Sequence, residues 1–174
     1  AVEAINLFHI NASDIEIAEL NALIDAVYWA RNLVNEPVIS LNAVELARQF
    51  SIKGLPVGLK VDVFDKEKIE ALKMGGLLAV NRGSIDAPTF TVMEWKPVNA
   101  QNVKPYVLVG KGIVYDTGGL SLKPTANSMD EMKCDMAGAA AVAGALYAMA
   151  VTNLKVWVIG LLPATDNRPD GNAY

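Results

Sequence analysis

Residues 109–124 of the chain read Val-Gly-Lys-Gly-Ile-Val-Tyr-Asp-Thr-Gly-Gly-Leu-Ser-Leu-Lys-Pro. An apolar run leads directly into a glycine-rich loop, and the segment carries Lys111, Asp116 and Lys123. Glycine lets the backbone turn tightly and approach a ligand closely, and α/β sheets place their sites where strands end. We therefore predict a strand that runs into a functional loop, with these three polar side chains as candidates for its chemistry.

A phosphate-binding loop is one alternative, because Gly110-Lys111-Gly112 and Lys123 invite comparison with nucleotide cradles. The spacing argues against it. A Walker loop has four residues between its glycines and then Gly-Lys-Ser/Thr at the start of a helix. Here Lys111 precedes the loop and Pro124 follows Lys123, so nucleotide binding is disfavoured.

A second polar group lies where the next predicted helix begins. Asp135 stands immediately before the alanine- and glycine-rich run Met136–Val151. Its simplest role is to cap that helix, as aspartate commonly does. Together, however, Asp116 and Asp135 offer carboxylates that can converge above a sheet edge. Divalent metals favour such ligands, and two ions held about 4 Å apart by shared carboxylates form a hydrolytic site. More carboxylates than these two would be needed.

The flanking sequence predicts a layered α/β protein. A capping box at Ser13 and Glu16 predicts a helix from about Asp14 to Leu33, and Pro37 opposes its continuation. A second helix is predicted from Asn42 to Gly54. The remaining predicted elements are the strand 59–64, the helix 65–73, a break at residues 75–76, the strands 89–95, 106–114 and 155–162, the helix 136–151, and a closing polar loop 166–174.

The composition restricts the function classes. Apolar residues make up 52% of the 174 residues and charged residues 20%, which is enough for one hydrophobic core. The net charge of −4 argues against binding to nucleic acid or to anionic membranes. The apolar stretch 136–151 is too short for a typical membrane span, and the N-terminus lacks the pattern of a secretory signal. We therefore predict a cytoplasmic protein without a membrane or nucleic-acid partner.

Two further side chains invite chemical interpretations that we do not favour. Cys134 is the single cysteine, so an internal disulfide is excluded. We predict that it is a small core residue without thiol chemistry. His9 is the only histidine, and we predict a structural role for it.

The two polar segments resemble the leucine aminopeptidases, a family of cytosolic metallo-aminopeptidases with a two-metal centre. The resemblance rests on Val-Gly-Lys-Gly-Ile at residues 109–113, Asp-Thr-Gly-Gly at 116–119 and Leu-Lys-Pro at 122–124. It continues in Met-Lys-Cys-Asp-Met at 132–136, followed by Gly-Ala-Ala-Ala at 138–141. The fold that it implies is a three-layer α/β/α mixed sheet of the zinc-peptidase type.

The resemblance also implies a role for each candidate residue. Lys111 would bind a metal through a neutral amine, Asp116 would bridge both metals, and Asp135 would complete the protein's share of the Lys111 metal site. Lys123 would be catalytic, because it would polarise the substrate carbonyl and stabilise the oxyanion of the transition state. Met132 would bind substrate by lining the pocket for its N-terminal side chain.

The sequence departs from the family in what it lacks. A later Asn-Thr-Asp-Ala-Glu-Gly-Arg motif completes the family's metal site, and it does not occur in this chain. The family's N-terminal regulatory domain is also absent. We therefore expect residues 1–174 to form a single partial domain, the N-terminal half of the peptidase catalytic domain. Such a piece should be inactive alone and bind metal weakly or not at all. The alternative is a natural short protein that kept the fold and lost catalysis.

The function implied for the parent protein is metal-dependent release of N-terminal residues, preferably apolar ones such as leucine, from peptides. Two divalent ions, zinc or manganese, would serve as cofactors. A homo-hexamer is implied for the parent, and self-association is expected for the piece because missing strands would leave an apolar face open. The competing hypothesis is a non-catalytic binding or assembly module built on the same half-fold.

Overall fold

A computed structural model describes residue 5 and residues 11–171 of the chain. The helices over these residues are α1 (Asp14–Asn35), α2 (Ala43–Gly54), α3 (Lys66–Ala71), α4 (Gly75–Val80) and α5 (Ala137–Val151). The strands are β1 (Lys60–Phe64), β2 (Thr89–Trp95), β3 (Tyr106–Val109), β4 (Gly112–Asp116) and β5 (Val158–Asn167). Helices and strands are therefore interspersed along the chain, and the predicted α/β class is confirmed.

The first two helices begin at the predicted polar caps. Ser13 accepts a hydrogen bond from the amide of Glu16, whose carboxylate accepts one from the Ser13 amide at 2.8 Å, so the capping box is complete. Asn42 caps α2 through the amide of Glu45 at 2.9 Å. Helix α1 ends at Asn35 because Glu36 adopts an extended backbone conformation. A following proline, here Pro37, favours that conformation.

The sheet has five strands and is mixed. Strands β1, β2 and β5 lie side by side and antiparallel. The other edge of β5 pairs in parallel first with β3 and then with β4, so these two form one interrupted strand. The carboxyl ends of β4 and β5 therefore lie together, with Asp116 opposite Asn167 in the register.

The core lies between the sheet and helices α2 and α5. Phe50 from α2, Met93 from β2, Leu146 from α5 and Leu162 from β5 are fully buried there. Helix α1 packs on α5, and a Cβ added at Gly144 would lie 3.2 Å from the carbonyl oxygen of Ala26. The small residues of α5 therefore let a second helix pack closely on its outer side.

Four predicted boundaries were wrong. The predicted strand 106–114 is broken at residues 110–111, and the glycines at 75–76 open helix α4 where a break was predicted. Strand β5 starts and ends later than predicted, so Asp166 and Asn167 belong to it and not to a loop. A 3₁₀ turn at Met129–Cys134, which was not predicted, precedes α5. Residues 172–174 and His9 lie outside the described part of the chain.

The segment Met129–Val151 is long and apolar enough to cross a membrane by length and composition alone. This is weak evidence, because core helices of soluble proteins pass the same test. Half of its most apolar stretch is buried within the protein. Its contacts with the sheet and α1 account for its apolar composition.

Candidate metal site

The break between β3 and β4 determines where Lys111 lies. The amide of Gly110 still bonds to the carbonyl of Leu161 on β5 at 3.0 Å, after which the chain leaves the ladder. At the break the carbonyl of Lys111 accepts a hydrogen bond of 2.9 Å from the amide of Ala139, in the first turn of α5. A Cβ on Gly110 would lie 2.6 Å from the Cα of Ala139, so only glycine allows this approach.

This approach brings Lys111 to Asp135. The ammonium of Lys111 lies 2.9 Å from one oxygen of the Asp135 carboxylate and 2.8 Å from the other. The lysine side chain is 58% exposed and that of the aspartate only 20%. The N-cap residue of α5 is Met136, and no side chain makes a capping hydrogen bond there. The prediction that Asp135 caps this helix was therefore wrong. Its carboxylate instead faces a cation.

Asp116 lies at the end of β4 and receives three donors. One carboxylate oxygen accepts hydrogen bonds from the amide of Gly118 at 2.9 Å and from the side-chain amide of Asn167 at 2.7 Å. The other oxygen lies 2.8 Å from the ammonium of Lys123. Partial burial raises the pKa of Asp116, but these hydrogen bonds and the charge of Lys123 outweigh burial and lower it below its ordinary value. Asp116 is therefore held as a carboxylate.

The loop after β4 turns back so that Lys123 can reach Asp116. Gly118 and Gly119 have φ of 90° and 70°, which side chains other than glycine rarely adopt. The amide of Lys123 then bonds to the carbonyl of Thr117 at 2.9 Å and closes the loop. The glycine pair thus explains how a lysine seven residues along the chain returns to the aspartate.

The 3₁₀ turn Met129–Cys134 connects the two lysine–aspartate pairs. Lys123 donates a hydrogen bond to the sulfur of Met132 at 2.9 Å. Asp135, which ends the same turn, donates its amide to the carbonyl of Met132. Cys134 is only partly buried, so its predicted core position was wrong. Four of the five predicted site residues therefore form two lysine–aspartate pairs, and the fifth, Met132, lies in the turn that connects them. The chemical roles of all five remain predictions.

The donor set fits part of a divalent metal site. Two carboxylates and a lysine that could bind as a neutral amine are suitable ligands for a dication. The present arrangement balances each carboxylate with one ammonium. Over residue 5 and residues 11–171, no group of three or more aspartate, glutamate, histidine or cysteine side chains could hold a metal. These residues can therefore supply some ligands of such a site, and others are needed.

Sequence reasoning missed Asn167, the residue that bonds directly to Asp116. The polar sequence around it predicted a loop. The available signal was its position directly after an apolar strand, which in a parallel pair places a side chain beside the end of the neighbouring strand.

Charged side chains at the carboxyl ends of parallel strands, in a mixed α/β sheet, are where enzymes of the α/β class commonly place their sites. The sequence profile of the cytosol aminopeptidase family, catalytic domain, matches residues 28–174. The chain therefore belongs to the cytosol aminopeptidase family and represents part of its catalytic domain.

Individual relatives agree with this assignment. A probable cytosol aminopeptidase of Chloroherpeton thalassium is 51% identical over 143 residues, which are 82% of this chain and 28% of that relative. The bottromycin maturation enzyme BotP, solved in complex with Mn, matches with a TM-score of 0.83 and 37% identity, over 93% of this chain and 35% of that one. Leucine aminopeptidase from Caenorhabditis elegans matches with a TM-score of 0.83 and 27% identity, over 91% and 32%. The chain thus spans about a third of the length of these relatives.

Proposed function

We propose that the full-length protein is a metal-dependent aminopeptidase that releases N-terminal residues from peptides, preferably apolar ones such as leucine. The observation that carries this proposal is the pair of lysine–aspartate contacts at the carboxyl ends of the parallel strands, within the segments that resemble the family's motif. Family membership supports the same reaction class.

Asp116 is the best-placed residue to bridge two ions. It is the more enclosed of the two carboxylates, and three donors fix its orientation before any metal binds. Asp135 and Lys111 would hold one of the two ions, provided that Lys111 loses its proton. The ions, zinc or manganese, would supply a metal-activated water for attack on the first peptide carbonyl.

Lys123 has a second role in this proposal. It is partly enclosed, and its ammonium already lies between Asp116 and the sulfur of Met132. A cation in this position can donate a hydrogen bond to a carbonyl oxygen that gains negative charge during attack. Met132, beside it, would contact the first side chain of the peptide.

The proposed partners follow from the family and from the exposed sheet edge. Peptides are the substrates, and the full-length protein would act in the cytoplasm as a homo-hexamer. The outer edge of β3 carries the exposed residues Tyr106, Val107 and Val109. An apolar strand edge favours association with other chains, so the 174-residue chain alone should self-associate.

The test is hydrolysis of leucine p-nitroanilide by the full-length protein, with chelation and metal restoration. Activity should disappear with chelator, return with Mn²⁺ or Zn²⁺, and be abolished by Asp116→Ala. The matched control is Asp62→Ala, because Asp62 also pairs with a lysine, Lys68, but on the exposed strand β1. A metal-loaded protein that never hydrolyses the amide would instead support the non-catalytic module.

A further inference from the structure

Asn167 makes two connections to the end of β4. Its side-chain amide donates to Asp116 at 2.7 Å, and its carbonyl accepts from the amide and the hydroxyl of Thr117 at 3.0 and 2.8 Å. The two connections reach the carboxylate proposed as the bridge and the residue immediately after it. We propose that Asn167 is a positioning residue for the metal-bridging carboxylate of Asp116, an inference that rests on the proposed function.

The chemistry of the amide suits this role. A bridging carboxylate must present its oxygens in a fixed orientation, and hydrogen bonds from a neighbouring shell supply that orientation. Lys123 also bonds to Asp116, but it is a cation that would be repelled by two dications. Asn167 is neutral, so its hydrogen bond can persist when positive charge gathers at the site.

The surroundings of Asn167 restrict its side chain to this contact. A Cβ added at Gly119 would lie 3.1 Å from the side-chain oxygen of Asn167, so the loop lies close on that side. The backbone of Asn167 is fixed separately by its pairing with Asp116 and Thr117. Removal of the side-chain donor should therefore leave β5 in place, and that oxygen of Asp116 would keep only the Gly118 amide as a donor.

The experiment uses the full-length protein, freed of metal and titrated calorimetrically with Mn²⁺. Asn167→Leu keeps the branched shape but cannot donate, and we expect Mn²⁺ affinity to fall by about 10- to 100-fold. The melting temperature of the metal-free protein should change little. Asn167→Ala removes the donor without adding bulk, and its Mn²⁺ affinity should fall by a similar factor. If Asn167→Leu does not fold, the affinity of Asn167→Ala tests the inference.

Asn102 offers a matched control at the opposite end of β5. Its side chain exchanges hydrogen bonds of 2.7 and 2.8 Å with the backbone of Trp157, just before the start of β5, whereas Asp116 pairs with the end of that strand. Asn102→Leu should lower the melting temperature and leave Mn²⁺ affinity unchanged. Wild-type Mn²⁺ affinity in both Asn167 variants would overturn this inference and leave the proposed function intact. Absence of Mn²⁺ and Zn²⁺ binding by the unmodified protein would overturn the proposed function, and the inference with it.

Discussion

Substitution of Gly110 by alanine tests how closely α5 must approach the break between β3 and β4. The added Cβ would lie 2.6 Å from the Cα of Ala139, 2.7 Å from the carbonyl oxygen of Gly138 and 2.9 Å from the amide of Ala139. All three are backbone atoms, so no rotamer change relieves the contacts. The start of α5 must shift by roughly 1 Å to restore ordinary separation, with strain of the kind that overpacked cores show.

Two effects oppose each other in this variant. Overpacking costs about 1–3 kcal/mol. Alanine also has less backbone freedom than glycine in the unfolded chain. This stabilises the folded state by only about 0.4–1 kcal/mol, and only where the native backbone conformation suits alanine. Destabilisation should therefore win. For a chain of this size each kcal/mol corresponds to about 2–4 °C, so we expect the melting temperature to fall by several degrees.

Thermal unfolding of the chain, followed by circular dichroism, measures this effect. Gly76→Ala is the matched control, because a Cβ there has nothing within 4 Å and the residue lies within helix α4. Alanine should maintain or raise the melting temperature at that position, since it favours helix by up to about 1 kcal/mol over glycine. The reasoning is refuted if Gly110→Ala melts no lower than the unmodified chain, or if the control falls as far.

Three other outcomes are expected. In the full-length protein Lys123→Ala should lower kcat by about 10²- to 10³-fold, the usual effect of losing one oxyanion donor; a variant with only a raised KM would show that the lysine merely binds substrate. The 174-residue chain alone should show no peptidase activity and weak Mn²⁺ or Zn²⁺ binding in calorimetry, and two micromolar sites with turnover of leucine amide would contradict this. The hydrogen bonds that lower the pKa of Asp116 stabilise the folded chain above its ordinary pKa of 3.8, and this contribution is lost as the pH falls through the lower folded value. Urea unfolding at acidic pH should therefore show a weaker loss of stability in Asp116→Asn than in the unmodified chain.

The helices could be predicted because their signals are local. Ser13 and Glu16 form a capping box within one turn, and Asn42 and Glu45 repeat half of that pattern. Strand β2 could also be predicted from its local sequence pattern. Its residues are alternately buried and partly buried along the whole strand. These features depend on neighbours within a few residues, which a single sequence displays.

The interruption between β3 and β4 could not be read in the same way. Residues on both sides of Gly110-Lys111-Gly112 are apolar, which predicts one strand across 106–114, whereas the chain leaves the ladder at residues 110–111, where the start of α5 lies against Gly110. Similarly, the polar residues Asp166 and Asn167 predicted a loop, whereas pairing with the end of β4 keeps them in β5. Both features depend on contacts between distant segments, so local propensity is overridden by tertiary structure.

In the candidate site, too, features with local sequence signals could be predicted, and features that depend on distant contacts could not. A carboxylate at a strand end and another before a helix could be selected from residue type and position. Their pairing with particular lysines follows from the loop glycines and the 3₁₀ turn, and the contact between Asn167 and Asp116 joins residues 51 positions apart. The site residues within the continuous segment 111–135 could therefore be predicted from the sequence. Asn167, which β5 contributes, could not.

The two lysines differ in a way that supports different roles for them. The side chain of Lys111 is 58% exposed and touches Asp135 alone among the described hydrogen-bond partners, whereas that of Lys123 is 28% exposed and touches both Asp116 and Met132. An exposed ion pair contributes little to stability, so the pair with Asp135 can be given up at small cost when a dication competes for that carboxylate. In the proposed function the side chain of Lys111 would then be free to face the same ion. Lys123 is held from two sides by Asp116 and Met132, so in the proposed function its position suits a hydrogen-bond donor to the reacting carbonyl better than a metal ligand.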